Sequence, residues 1–129
     1  MEQVGIADFA EKPLFMLSGG MRQNAYIAMA LAQDTDYILL DEPTTYLDIA
    51  HQLELMRLLK QLSDNGKGIV TVMHDLPLAF DFSDTLTVMN NGGIIACGTP
   101  SEICESHMVE DIFGVKIKQV QKGKYLYEY

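Results

Sequence analysis

The feature that most constrains the fold lies between residues 37 and 73, where the hydrophobic period changes twice. Tyr37-Ile38-Leu39-Leu40 is a short apolar run that reads as a buried strand. Ile49, Leu53 and Met56, with Leu55, Leu58, Leu59 and Leu62, then recur at helical spacing up to Asn65-Gly66, a good helix stop. Gly68 to Met73 is β-branched and returns to strand character. Strands that alternate with helices predict a parallel α/β sheet. The first strand runs into Asp41, Glu42 and Pro43, so two adjacent carboxylates sit where a chain leaves a sheet.

The flanking segments carry local signals of their own. Ser18 is a plausible N-cap for a helix over Met21–Gln33, whose Met21, Ala25, Ile27, Ala28, Met29, Leu31 and Ala32 predict burial all round. Residues 1–16 suggest a short helix and a loop punctuated by Pro13. Asp75 and Pro77 open a short helix. Asn90-Asn91-Gly92-Gly93, between "TLTVM" and "IIACG", signals a hairpin. Thr99 to Glu102 has capping-box spacing with an early proline. Val120 to Tyr129 suggests a last hairpin around Lys122-Gly123.

Composition narrows the class. The 129 residues suffice for one domain with a core, and 48% hydrophobic with 21% charged residues is ordinary for a soluble protein. No run approaches a membrane span, and no signal-peptide pattern opens the chain. A net charge of −9 argues against a nucleic-acid surface. It leaves room for a nucleotide, which backbone amides and a metal can hold. Cys97 and Cys104 lack zinc or redox spacing and read as reduced structural thiols.

Taken singly, an acidic pair, a strand-end histidine and a Ser-Gly-Gly turn are weak signals. Their order is specific. "LSGGMRQ" at 17–23, "YILLDE" at 37–42, "YLD" at 46–48 and His74 resemble the ATP-binding subunit of ABC transporters. The resemblance covers nearly the whole chain. The wording "DEPTTYLDIAHQ" is most similar to importers for iron–siderophore, haem or cobalamin. The resemblance implies an α/β fold, part of a P-loop NTPase parallel sheet with flanking helices that lacks the Walker A half. Residues 1–33 would be the end of the helical subdomain, and 34–129 part of the core with its C-terminal strands.

The same resemblance implies site roles. Asp41 would hold Mg2+, directly or through water. Glu42 would be the general base for the water that attacks the γ-phosphate, and His74 would contact that phosphate. Ser18, Gly19, Gly20 and Gln23 would bind the ATP held by a second ATPase subunit, with Asp48 at the subunit boundary. Free amides and the dipole at a helix start suit that anion. Partners would be that second subunit and membrane permease subunits, with the protein cytoplasmic and peripheral on the inner face of the membrane.

The sequence departs from the family pattern in several places. No G-x-x-x-x-G-K-[ST] occurs, so the phosphate-cradling loop and the glutamine loop are missing from these residues. Met21 stands where the family usually has Gln, Asn24 where Arg or Lys is usual, and Pro77 also differs. The chain thus resembles a C-terminal half that does not by itself bind or hydrolyse ATP. The alternative is a non-hydrolysing binding or self-association module. A DNA-repair or chromosome-organising ATPase would share the motifs, but sustained heptads are missing. In the family's sheet the missing strand lies between 68–73 and 85–89, so these edges are expected to drive self-association.

Overall fold

The computed structural model describes residues 7–121 and 123–128. The chain forms two compact units, Met1–Met73 and His74–Tyr129.

In the first unit, one-turn 3-10 helices at Ala7–Phe9 and Leu14–Met16 precede α1 (Gly19–Ala32). Ser18 caps α1, its side-chain oxygen accepting the Met21 amide at 3.3 Å. Strand β1 (Tyr37–Asp41), helix α2 (Ile49–Asp64) and strand β2 (Gly68–Val72) follow. β1 and β2 are parallel, with Tyr37 opposite Gly68 and Asp41 opposite Val72. α2 crosses between them, as a parallel connection requires. Its stripe of Leu55, Met56, Leu59 and Leu62 is buried, as are Ile38 on β1 and Ala25, Ile27 and Ala28 on α1. The α/β architecture is as the period changes predicted, with the parallel pairing confined to these two strands among the described residues.

Two burial expectations need correction. α1 is not buried all round: Tyr26 and Met29 are more than half exposed. Its small apolar side chains run round the whole cylinder, but only one stripe meets the rest of the unit. β1 is buried on one face alone. Leu39 is 76% exposed and Tyr37 69%, while Val70 and Val72 on β2 are also more than half exposed. The pleat and the parallel register put these four side chains on one face. An apolar run on a strand signals a face fit for burial and does not say what covers it. Gly68 is set by this face, since a Cβ there would collide with the Tyr37 ring.

The second unit opens with α3 (Leu76–Phe82), capped by Asp75 through the Leu78 amide. Strands β3 (Leu86–Asn90) and β4 (Gly93–Gly98) make an antiparallel hairpin. Asn91 and Gly92 both have positive φ at its tip, the conformation of the type I′ turn that Asn-Gly favours. α4 (Pro100–Glu105) begins with the full capping box of Thr99 and Glu102. α5 (Met108–Phe113), which the sequence patterns did not reveal, buries Val109. β5 (Lys116–Gln121) and β6 (Lys124–Glu128) form the last hairpin, and its first strand starts four residues earlier than expected. Lys122 and Tyr129 lie outside the described residues, as does the early part of the expected N-terminal helix.

The core of this unit gathers Phe80, Val88, Ile103, Val109 and Tyr125. The Phe80 and Tyr125 rings meet at 5.1 Å with a 56° tilt, and the Tyr125 hydroxyl lies 3.2 Å from Ser101 Oγ. Asp81 fastens α3 to β6: Oδ1 accepts the Tyr125 amide at 2.7 Å and Oδ2 accepts Lys124 Nζ at 3.1 Å. Its side chain is only 15% exposed, so removal strands a backbone donor beside the core. Asp81→Ala should therefore cost about 1.5–3 kcal/mol, the range for hydrogen bonds to a charged group. Urea unfolding followed through the β5–β6 amides is the measurement, and an unchanged midpoint would remove Asp81 from the unit's support.

Candidate functional site: the strand-end acids and the turn that leads to α2

The chemistry-bearing residues of the first unit cluster where β1 ends and α2 begins. Asp41 is the last residue of β1 and is exposed. Glu42 lies past the strand, with φ of +46° and partial burial. Glu42 lies outside the strand, so a left-handed backbone, and not strand alternation, separates the two carboxylates. The Glu42 amide still donates to Val72 O at 3.0 Å, so β2 holds this residue in place. A bulky residue in this conformation is uncommon, and such outliers gather at functional sites.

From Glu42 the chain makes two successive tight turns. The Thr45 amide donates to Glu42 O at 3.1 Å, and the Leu47 amide to Thr44 O at 3.2 Å. Thr45 Oγ1 donates to Glu42 Oε2 at 3.1 Å, which orients the carboxylate. Pro43 and Thr44 are buried beneath the turn, while Tyr46, at φ of +66°, is almost fully exposed. Gln52 Nε2 ties the turn from the helix side by donating to Thr44 O at 3.3 Å and Leu47 O at 3.1 Å.

Asp48 is the N-cap of α2. Its Oδ1 accepts the His51 amide at 2.9 Å, and its Oδ2 meets His51 Nδ1 at 2.8 Å. An ionised carboxylate only accepts, so Nδ1 carries the proton. The His51 backbone and side-chain bonds hold the Asp48 carboxyl below the ordinary carboxylate range. In return the Asp48 hydrogen bond and charge, with a smaller push from Glu54, raise the His51 imidazole above its ordinary value. The start of α1 lies against this turn: a Cβ at Gly19 would lie 3.8 Å from Tyr46 O, and one at Gly20 would lie 3.3 Å from His51 Cδ2.

Of the residues marked in the sequence, the structure thus brings Ser18, Gly19 and Gly20 close to the turn that carries Asp48. Asp41 and Glu42 stand at its other end. Gln23 lies on α1 and is partly buried. His74 is exposed at the start of the second unit, directly before the α3 cap. His51, Thr45 and Gln52 were not singled out; the signal for His51 was its place three residues after the cap Asp48. The donor set fits a hard cation held by one carboxylate with waters and phosphate oxygens. Among the described residues no group of three or more acidic, His or Cys side chains could enclose a metal without such help. The fully described helices include none long and apolar enough to cross a membrane.

The shifts on the pair have opposite pH signs. Asp48, with its folded pKa lowered, adds stability above its unfolded value and loses it as pH falls through the folded one. His51, with its folded pKa raised, adds stability below its unfolded value and loses it as pH rises through the folded one. The pair is therefore strongest from about pH 4 to about 6.5. An NMR titration of the His51 ring should give a midpoint above about 6.5, and Asp48→Asn should bring it down. The same midpoint in both proteins would mean that the pair does not exist in solution.

A family model described as ABC transporter matches residues 1–45. The achromobactin transport ATP-binding protein of Dickeya dadantii is 45% identical over 121 residues, 93% of this chain and 45% of that protein. The iron(3+)-hydroxamate import ATP-binding protein of Bacillus subtilis is 46% identical over 116 residues, 89% of this chain and 43% of that protein. Among solved structures, cbiO1 of Clostridium perfringens, part of the ABC transporter complex cbiONQ, superposes with a TM-score of 0.74. It is 31% identical, and the match covers 85% of this chain and 44% of that one. The chain spans less than half the length of these relatives. In sequence and in fold it is similar to part of the ATP-binding subunits of ABC transporters.

Proposed function

We propose that this chain is the catalytic and signature-bearing portion of an importer ATPase, in which ATP hydrolysis drives uptake of an iron–siderophore, haem or cobalamin. The observation that carries the reading is Glu42: a partly buried carboxylate, oriented by Thr45 and set off from the exposed Asp41 by a left-handed backbone. The names of the relatives, for achromobactin and iron(3+)-hydroxamate transport, support the siderophore class. In this reading residues 1–33 close a helical subdomain and 34–129 belong to the nucleotide-binding core.

Each residue then has a task. Asp41 binds Mg2+, which neutralises charge on the phosphates. Glu42 takes the proton of the attacking water. His74 donates a hydrogen bond to the γ-phosphate. Ser18, Gly19, Gly20 and Gln23 face the ATP of a second ATPase subunit, and Asp48 lies at that seam. Permease subunits hold the protein at the inner face of the membrane. These 129 residues contain no phosphate-cradling Gly-Lys loop, so the chain by itself does not turn over ATP.

In a full-length ATPase carrying this segment, Glu42→Gln should lower turnover by roughly 10²–10⁴-fold, the usual worth of a general base. ATP binding should persist, because the amide keeps the shape of the carboxylate. Turnover at the wild-type rate would sink the assignment.

A second reading, self-association of this chain, is favoured by one observation. The face of Tyr37, Leu39, Val70 and Val72 is apolar and open to solvent, whereas parallel sheets are ordinarily covered on both faces. Light scattering over a dilution series should show a dimer or larger species. A monomer at high concentration would end this reading without touching the role of Glu42.

A further inference from the structure

We propose that His51 is a positioning residue that ties the turn carrying Asp48 to the first turn of α1, so that the two segments move as one. The proposal rests on the reading of Ser18–Gly20 and Asp48 as nucleotide-facing, and it adds a residue to which that reading gives no task.

His51 grips Asp48 at two points. Its amide bonds one carboxylate oxygen at 2.9 Å and its Nδ1 the other at 2.8 Å. Two donors from one residue fix both side-chain torsions of Asp48. The opposite edge of the same ring faces α1. A Cβ added to Gly20 would lie 3.3 Å from His51 Cδ2, 3.5 Å from its Cγ and 3.7 Å from Leu47 Cδ2. The ring thus borders tightly on the space that a glycine at position 20 leaves open. One residue earlier, Gly19 approaches the Tyr46 carbonyl, so α1 meets the turn at two consecutive positions. Gln52 already binds that turn to α2 through the Thr44 and Leu47 carbonyls. His51 extends the fastening across to α1. The charged groups acting on the ring are Asp48 and Glu54; Gly20, which faces it from α1, brings none.

The blander possibility is that His51 only closes the first turn of α2, while Ser18 caps α1 without help. The two ideas differ in what α1 feels when the ring is changed. Amide hydrogen exchange by NMR on the nucleotide-free chain separates them. The reporters in α1 are the Met21 amide, bonded to Ser18 Oγ at 3.3 Å, and the Arg22 amide, bonded to Ser18 O at 2.9 Å. The reporter in α2 is the Gln52 amide, bonded to Asp48 O at 2.9 Å. Exchange at Leu59, in the middle of α2, corrects for any general loss of stability.

His51→Asn keeps a donor within reach of Asp48 but removes the ring edge beside Gly20. It should speed Met21 and Arg22 exchange at least about twofold, the low end of coupling between touching groups, with Gln52 unchanged. His51→Ala should speed all three. In the unmodified chain, the Gly20 amide resonance should follow the imidazole titration. Unchanged exchange at Met21 and Arg22 in both variants, or a Gly20 resonance indifferent to that titration, would overturn the proposal. None of these readouts uses ATP, so their failure is distinct from failure of the ATPase reading.

Discussion

The pairing of β1 with β2 is the constraint on which the first unit depends. A strand end offers chemistry only if something fixes where it stops. Here the parallel ladder runs from Tyr37–Gly68 to Asp41–Val72, and the Glu42 amide adds one more bond to Val72 O beyond the last pair. That bond holds the peptide just where the chain turns left-handed. The turn, its buried Pro43 and Thr44, and the cap of α2 all start from this fixed point. α2 in turn supplies the buried stripe that covers one face of the same strands. Pairing, turn and helix therefore stand or fall together, as expected where short strands gain stability mainly from packing.

Much of the fold was legible because its signals are local. The Asn91-Gly92 turn, the Thr99–Glu102 box and the Asp75 cap each need only neighbouring residues. The stripe of α2 shows in its period alone. What stayed hidden depends on distant parts of the chain. α5 is six residues long, entered through a left-handed His107 and left through Gly114. Its place is set by the burial of Val109 in the second core, which no periodicity over so few residues reveals. The exposed face of β1 and β2 was hidden for the converse reason: apolarity announces an appetite for burial without naming a partner.

The candidate site divides along the same line. Asp41, Glu42, Ser18, Gly19, Gly20, Gln23, Asp48 and His74 were marked by the order of short motifs, and the structure gathers the α1 start and the Asp48 turn in one place. His51 escaped because its neighbours come from two directions. Asp48 is close in sequence, but Gly20 reaches it only through the packing of α1. Glycine at position 20 could be read from the sequence as permission for a phosphate to approach. The structure adds a second use for the same missing side chain, as room for an imidazole.

The left-handed backbone of Glu42 sets stability and chemistry against each other at one residue. For a residue with a Cβ this conformation costs about 1–2 kcal/mol, a cost glycine does not bear. The bond from its amide to Val72 and the turn it launches both belong to the backbone, so glycine would keep them. The backbone alone would thus favour glycine at this position, and the carboxylate, which accepts from Thr45 Oγ1, argues for glutamate. Selection for a sturdier protein would pull the residue one way, and selection for a working one the other. The φ angle at position 42 is where the two pressures can be weighed against each other.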